Sequence, residues 1–156
     1  MRGIILTAAA ITAIFVAMMT VSSSGRSEEA VRAACAKEEF ESVVEEAAGS
    51  LRDLNKKNRP AFQERLRELK DKRKWSHDEF IDKAKPFVSD DKLAVYDQTT
   101  DELLSAIASM GQEGATSATP DCAVLLELRA RMKVLVDTQT EKWGYMFEKI
   151  DAELAK

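Results

Sequence analysis

The chain has 156 residues, of which 32% are charged and 45% hydrophobic, and its net charge is −4. Six Gly and three Pro are too few for an all-β domain with many tight turns, so the composition favours a helical protein. The small net charge and the scarce aromatic residues argue against nucleic acid as a partner, since they provide neither a strongly basic surface nor a stacking platform.

The N-terminus combines a basic start with a long apolar run. Arg2 precedes an uncharged, mostly apolar run at 4–21. Small residues at 22–25 follow the run and lead to the next charged residue, Arg26. The run is longer than the roughly 7–15 residues of a typical signal and just reaches the roughly 17–25 residues of a membrane span. We therefore expect residues 1–25 to be either a cleaved signal peptide or a retained single-pass anchor. Either one exports residues 26–156, as a single helical-bundle domain, to the periplasm or the extracellular side.

The two cysteines, Cys35 and Cys122, agree with export. An even number of cysteines in an oxidising compartment is most simply explained by a disulfide. Two separate buried thiols are the alternative.

Helical spacing of small and apolar residues predicts a first long helix over about 27–56. Pro60 is expected to end it, because the residue before a proline is pushed away from helical backbone angles. Proline is also favoured in the first turn of a helix, which predicts a short helix over about 60–74.

Helix-start signals mark the second half of the chain. A capping box at Ser76 begins a long helix over about 77–110, which is expected to kink or divide near Pro86. Ser89, Asp90 and Asp91 then provide a fresh N-cap for the second part. A Gly-, Ser- and Thr-rich stretch over 111–120 predicts a loop. The last helix, over about 121–155, is expected to begin with Asp121 as its N-cap. It has apolar residues at alternating steps of three and four. This coiled-coil-like seam leaves homo-oligomerisation open.

These elements predict an all-α fold, an antiparallel bundle of three long helices plus the short helix over 60–74. A strict up-down four-helix bundle would place Cys35 and Cys122 at opposite ends, whereas a disulfide needs Cα atoms roughly 4.4–6.8 Å apart. Three long helices bring both cysteines to the same end.

The most basic part of the chain is residues 52–74, with ten basic and four acidic residues. It either pairs with acidic neighbours inside the bundle or forms a docking surface for an acidic partner or anionic lipid. The candidate interaction residues in it are Lys56, Lys57, Arg59, Arg65, Arg67, Lys70, Lys72, Arg73 and Lys74.

A second candidate interaction surface is a late aromatic face on the last helix, formed by Trp143, Tyr145, Met146 and Phe147. Trp143 and Met146 fall on the apolar seam, which favours a role in the core. Methionine and aromatic side chains also form adaptable binding surfaces.

The sequence contains no recognisable catalytic, metal or cofactor motif. The single histidine, His77, stands in the capping box, a position typical of a solvated surface residue. A nucleophile elbow, a haem-attachment motif, the Glu-x-x-His pair of di-iron bundles and a Gly-rich phosphate loop are all missing. We therefore predict a non-enzyme without catalytic residues, metal or cofactor.

We expect a non-enzymatic, exported helical-bundle protein that acts through contacts with a protein partner in the cell envelope. If the run at 4–21 is retained, the membrane is a further contact. The alternative is a bundle that binds a small ligand between its helices, or a metal at the acidic row Glu38, Glu41 and Glu45.

Overall fold

The computed structural model describes residues 35–119 and 121–156. These residues form four helices and no strand: α1 (Lys37–Arg73), α2 (His77–Val88), α3 (Asp91–Thr116) and α4 (Cys122–Leu154). The predicted all-α bundle with three long helices is confirmed. The predicted leader and the start of the first predicted helix lie outside the described residues.

Helix α1 starts later and ends later than the sequence predicts. Ala36 has an extended backbone (φ −62°, ψ 157°), so the predicted helix over 27–56 does not run through it. The predicted break at Pro60 is wrong, because α1 continues through this residue. A proline inside a helix costs about 3 kcal/mol. We attribute the continuity to the two residues that follow on the core side, Phe62 and Leu69, which are 3% and 0% exposed.

The predicted helix over 77–110 is divided into two helices, which is one of the two outcomes expected near Pro86. Ser89 and Asp90 have extended backbones and separate α2 from α3. The chain breaks after Pro86 rather than at it, because the Asp90 carboxylate caps α3 and accepts a hydrogen bond of 2.8 Å from the Leu93 N–H. The short helix of this fold is therefore α2, and the predicted short helix over 60–74 is the second half of α1.

The predicted capping box and the predicted loop have different outcomes. The capping box between Ser76 and Glu79 is present at the start of α2. The predicted loop over 111–120 is mostly wrong, since α3 continues to Thr116. Gly114 lies in that last part of α3 and is buried against Phe40 of α1, so its packing holds the segment in the bundle.

The long helices run up, down and up. Contacts between α1 and α4 advance in the same direction along both helices and join Glu39 to Arg129, Asn55 to Trp143 and Arg73 to Glu153. Contacts between α3 and α4 advance in opposite directions and join Asp97 to Lys142 and Asp90 to Lys149. Helix α4 is thus parallel to α1, antiparallel to α3 and packed along both.

The disulfide between Cys35 and Cys122 is confirmed, with the two Cα atoms 5.1 Å apart. Because α1 and α4 are parallel, both cysteines lie at the end of the bundle where these helices begin. The predicted same-end arrangement of three long helices is therefore correct.

Two apolar clusters fill the interior. The disulfide-end cluster contains Cys35, Phe40, Val43, Ala47, Ile107, Leu125, Leu128, Met132 and Leu135. The far-end cluster contains Phe62, Leu69, Leu93, Met146 and Ile150. No helix in the described part of the chain is both long and apolar enough to cross a membrane.

Candidate functional site

The basic residues at 56–74 divide into two groups. The first group ties α1 to the end of α4. Arg73 donates a hydrogen bond of 2.6 Å to the Glu153 carboxylate, and Lys72 donates to the main-chain carbonyl of Leu154. Such contacts satisfy carbonyl groups that a helix C-terminus leaves without partners. Arg65 lies 3.5 Å from Asp151 and adds to the same attachment.

Lys70 also belongs to the bundle, because its ammonium lies 5.8 Å from the centre of the Phe80 ring on α2. The interpretation of internal pairing with acidic neighbours therefore describes Arg65 and Arg73. Lys70 and Lys72 also face the bundle, but they contact an aromatic ring and a main-chain carbonyl.

The second group is free of such contacts. Its members are exposed and form no ion pair within the described part of the chain: Lys56, Lys57, Arg59, Arg67 and Lys74. Lysine and arginine side chains carry much rotamer entropy, so leaving them in water is the ordinary state of a solvated surface. Their distribution over the helix is what distinguishes them.

Most of these free charges lie on one stripe of α1. From Arg52 the stripe runs by steps of three and four residues, which keeps side chains on one side of an α-helix. It continues towards the N-terminus as the acidic row. The Arg52 guanidinium reaches the Glu45 carboxylate at 2.5 Å, which shows that the two parts share one face. We call this stripe the charged face, formed by Glu38, Glu41, Glu45, Arg52, Lys56, Arg59, Gln63, Arg67 and Lys70.

The charged face is long and has a reversal of sign. At 1.5 Å per residue, positions 38 to 70 span about 48 Å. The acidic row occupies the N-terminal part and the basic residues occupy the rest, with Ala48 and Gly49 between them, both partly exposed. The face therefore presents a negative and a positive region on one rigid rod.

The late aromatic face lies largely inside the bundle. Met146 is 8% exposed, and the Phe62 ring makes edge contacts with Trp143 and Phe147 at centroid distances of 6.0 Å and 5.6 Å. The sequence places Trp143 and Met146 on the core-facing seam but gives no sign that Phe62 is their partner. The use of these residues for binding stays a prediction, and the charged face is the more accessible surface.

Tyr145, the fourth residue of that group, joins a polar network centred on Asp90. The Asp90 carboxylate accepts hydrogen bonds from Lys149, from the Leu93 N–H and from the Tyr145 hydroxyl, at 2.9 Å for the last. The bond from Lys149, followed by the other two, lowers the pKa of Asp90 from 3.8 to about 2. The bond to Asp90 raises the pKa of Tyr145.

This network has a structural role. Lys149 also donates to the Pro86 carbonyl, so one ammonium on α4 holds both the end of α2 and the start of α3. The sequence marks Asp90 only as a helix cap. Its second role depends on the direction of α3 relative to α4, which no local pattern reveals.

An open groove of about 440 Å³ runs between α1 and α4 near the disulfide end. Apolar side chains form its floor: Val43, Ala47, Met132 and Val136. Polar and charged side chains form its rim: Glu46, Ser50, Arg129, Lys133 and Asp137.

Candidate metal ligands do not converge in the described part of the chain, where no group of three or more His, Cys, Asp or Glu residues is placed to hold an ion. His77 is exposed at the first position of α2. The acidic row of Glu38, Glu41 and Glu45 is solvent-facing along the helix.

Comparison with known proteins gives no relative: no protein-family model, curated protein or solved structure matches the chain. The class is therefore defined by the structure itself. It is a bundle of three long helices with one disulfide and a mixed-charge face along its first helix.

Proposed function

We propose that this chain is a non-enzymatic, exported helical-bundle protein that acts by protein–protein contact through the charged face. Export is supported by the apolar run at 4–21 and by the disulfide, since disulfides persist in oxidising compartments. The contact role is carried by one observation. Lys56, Arg59 and Arg67 of the charged face are exposed and have no acidic partner within the described residues, whereas Arg65 and Arg73 near the end of α1 do.

The energetics of the face support this role. Lys56 and Arg59 are three residues apart on one helix, and like charges at that spacing destabilise a helix by a few tenths of a kcal/mol. No compensating ion pair offsets this cost within the described chain. An acidic surface on a partner would remove the repulsion and speed the encounter by long-range attraction.

The structure also shows which substitutions test the role cleanly. Reversing Arg65, Lys72 or Arg73 would disturb the attachment of α1 to α4, so it would test the fold. Lys56 and Arg67 lie on the charged face and make no internal ion pair, so they can be reversed without loss of a packing contact.

The experiment compares the double variant K56E/R67E with a control of equal charge, K57E/K83E. Lys57 lies off the charged face and Lys83 is exposed on α2. The native protein and the control are expected to migrate in a complex heavier than one chain at about 50 mM salt and to dissociate at about 500 mM, since salt screens exposed charges. K56E/R67E is expected to remain a single chain at both salt concentrations, with unchanged helicity by circular dichroism. Identical behaviour of all three proteins would overturn the proposal.

The groove between α1 and α4 supports a second candidate function, the binding of a small apolar ligand. Its volume of about 440 Å³ and its apolar floor with a polar rim resemble a ligand pocket. Native mass spectrometry of the purified protein is the test. A bound mass that is lost in the rim variant Ser50→Trp supports this function, and a protein of unliganded mass contradicts it.

A further inference from the structure

We infer that the partner of the charged face is a second copy of this chain, whose α1 lies antiparallel to the first. The inference rests on the proposed role of that face in protein contact. Its basis is the order of charges: an acidic part precedes a basic part along one helix stripe. Two identical stripes placed antiparallel bring each acidic part opposite a basic part, which is the self-complementarity that a twofold interface requires.

The register follows from the residue positions. A twofold axis between Ala48 and Gly49 brings together residues that lie at equal distances from it along the two helices. Because the rise per residue is the same in both copies, the three acidic residues of one copy then face three basic residues of the other. The pairs are Glu38 with Arg59, Glu41 with Lys56, and Glu45 with Arg52, of which the last two residues also pair with each other within one chain. The symmetry repeats each pair on the other side of the axis.

Gly49 supports this position of the twofold axis. It lies inside a helix of 37 residues, where glycine is less favourable than alanine. A Cβ atom at Gly49 would have Arg52 Nη2 at 3.8 Å as its contact, an ordinary distance, so the described chain does not itself need a glycine there. Without a Cβ atom, the backbones of two helices can approach closely at the axis.

The order of charges favours a second copy over other acidic surfaces. A flat anionic membrane would attract the basic part of the stripe and repel the acidic row on the same line. A uniformly acidic protein would do the same. Only a surface whose charge changes sign along its length is complementary to the whole stripe. The charged face of a second copy is such a surface.

Such a dimer is expected to depend strongly on salt. Exposed ion pairs are individually weak, and ions screen them beyond about 8–10 Å at ordinary salt concentrations. Association is therefore expected at low ionic strength and is expected to disappear when the salt concentration is raised.

Charge exchange tests the inference. One variant reverses the acidic row (E38K/E41K/E45K) and the other reverses the facing bases (R52E/K56E/R59E). In the antiparallel register each variant alone places like charges opposite each other, whereas an equimolar mixture places opposite charges together throughout. Sedimentation velocity at about 20 mM salt, where screening is weak, is the measurement, made on the disulfide-bonded protein as the cell produces it.

The expected result is a dimer for the native protein, single chains for each variant alone, and a dimer in the mixture. Circular dichroism checks that both variants keep their helicity. The substitution Gly49→Leu is a second probe, because a side chain at the axis should shift the native protein from dimer to single chain. Gly144→Leu, on the exposed side of α4, is its control.

Two outcomes would overturn the inference. A mixture that sediments as single chains shows that the charges do not pair in this register. A dimer formed by either variant alone shows that another surface joins the copies. The proposed function is judged separately. If the complex that is lost in K56E/R67E contains a different protein, the second copy is rejected as the partner but protein contact remains the function. If the complex forms only on anionic vesicles, both are rejected.

Discussion

Gly114 gives the sharpest test of the packing at the disulfide end. An ideal Cβ atom at this position would lie 2.4 Å from Cδ1, 2.5 Å from Cε1 and 2.9 Å from Cγ of the Phe40 ring. The ring is only 3% exposed and belongs to the disulfide-end cluster, so relief requires the ring or α3 itself to move. Overpacking of a core costs about 1–3 kcal/mol, while alanine gains about 1 kcal/mol over glycine within a helix. We expect Gly114→Ala to lower the free energy of unfolding by up to about 2 kcal/mol.

Gly144 provides the matched control. A Cβ atom there would meet nothing within 4 Å, and the residue is exposed on α4. Gly144→Ala should therefore raise the free energy of unfolding by up to about 1 kcal/mol through helix propensity alone. Urea unfolding of both variants under oxidising conditions, followed by the helical signal in circular dichroism, measures the difference in unfolding free energy.

A double-mutant cycle separates the clash from other effects. In the Phe40→Ala background the ring is gone, so Gly114→Ala should become neutral or stabilising. The coupling energy between the two positions should then be about 1–3 kcal/mol. If Gly114→Ala stabilises the native protein as much as Gly144→Ala does, the close approach of α3 to Phe40 is refuted.

Three further predictions concern the fold. Replacing both Cys35 and Cys122 with Ser should lower the unfolding free energy by about 2–5 kcal/mol, measured as a lower urea midpoint that reductant no longer changes. Leu128→Ala should cost about 2–5 kcal/mol in the same assay, because Leu128 is 0% exposed at the centre of the disulfide-end cluster. The pKa of Asp90 is lowered from 3.8 to about 2, so its contribution to stability is present above pH 3.8 and is lost as the pH falls through about 2. Asp90→Asn should remove that part of the acid sensitivity and lower stability at neutral pH, where Lys149 loses its carboxylate partner. A urea midpoint for Asp90→Asn that still falls as steeply as the native one over this pH range would contradict the assignment.

Local signals in the sequence predict the starts of α2 and α4. The capping box at Ser76 and the cap at Asp121 each depend on side chains within a few residues of the helix they begin, and both are present. The pairing of Cys35 with Cys122 needs one step more, the count of long helices, and is also confirmed.

The errors arise where packing between distant segments outweighs local preference. Pro60 predicts a helix end, yet burial of Phe62 and Leu69 beside α4 keeps α1 continuous. The glycines of 111–120 predict a loop, yet Gly114 is the residue that lets α3 approach Phe40. In both places the deciding contact comes from a residue far away in the sequence.

The candidate site could be predicted only in part from the sequence, because it too depends on contacts between distant segments. The assumed break near Pro60 separated Gln63, Arg67 and Lys70 from the acidic row, so the charged face was not visible over its full length. Which basic residues are internal also depends on where α4 ends, since Lys72 and Arg73 contact Leu154 and Glu153. The acidic row and the basic segment were each identified, and the structure joins them.

The most direct test of the central claim is photo-crosslinking from the charged face in living cells. Gln63 is exposed, uncharged and lies on the charged face, so a photo-reactive residue there leaves the charges intact. Gln112, exposed on α3, is the control position. We expect a discrete protein adduct from position 63, with the mass of two chains if the partner is a second copy, and none from position 112. No adduct from position 63, or the same adducts from both positions, would contradict the claim that the charged face is the contact surface of this protein.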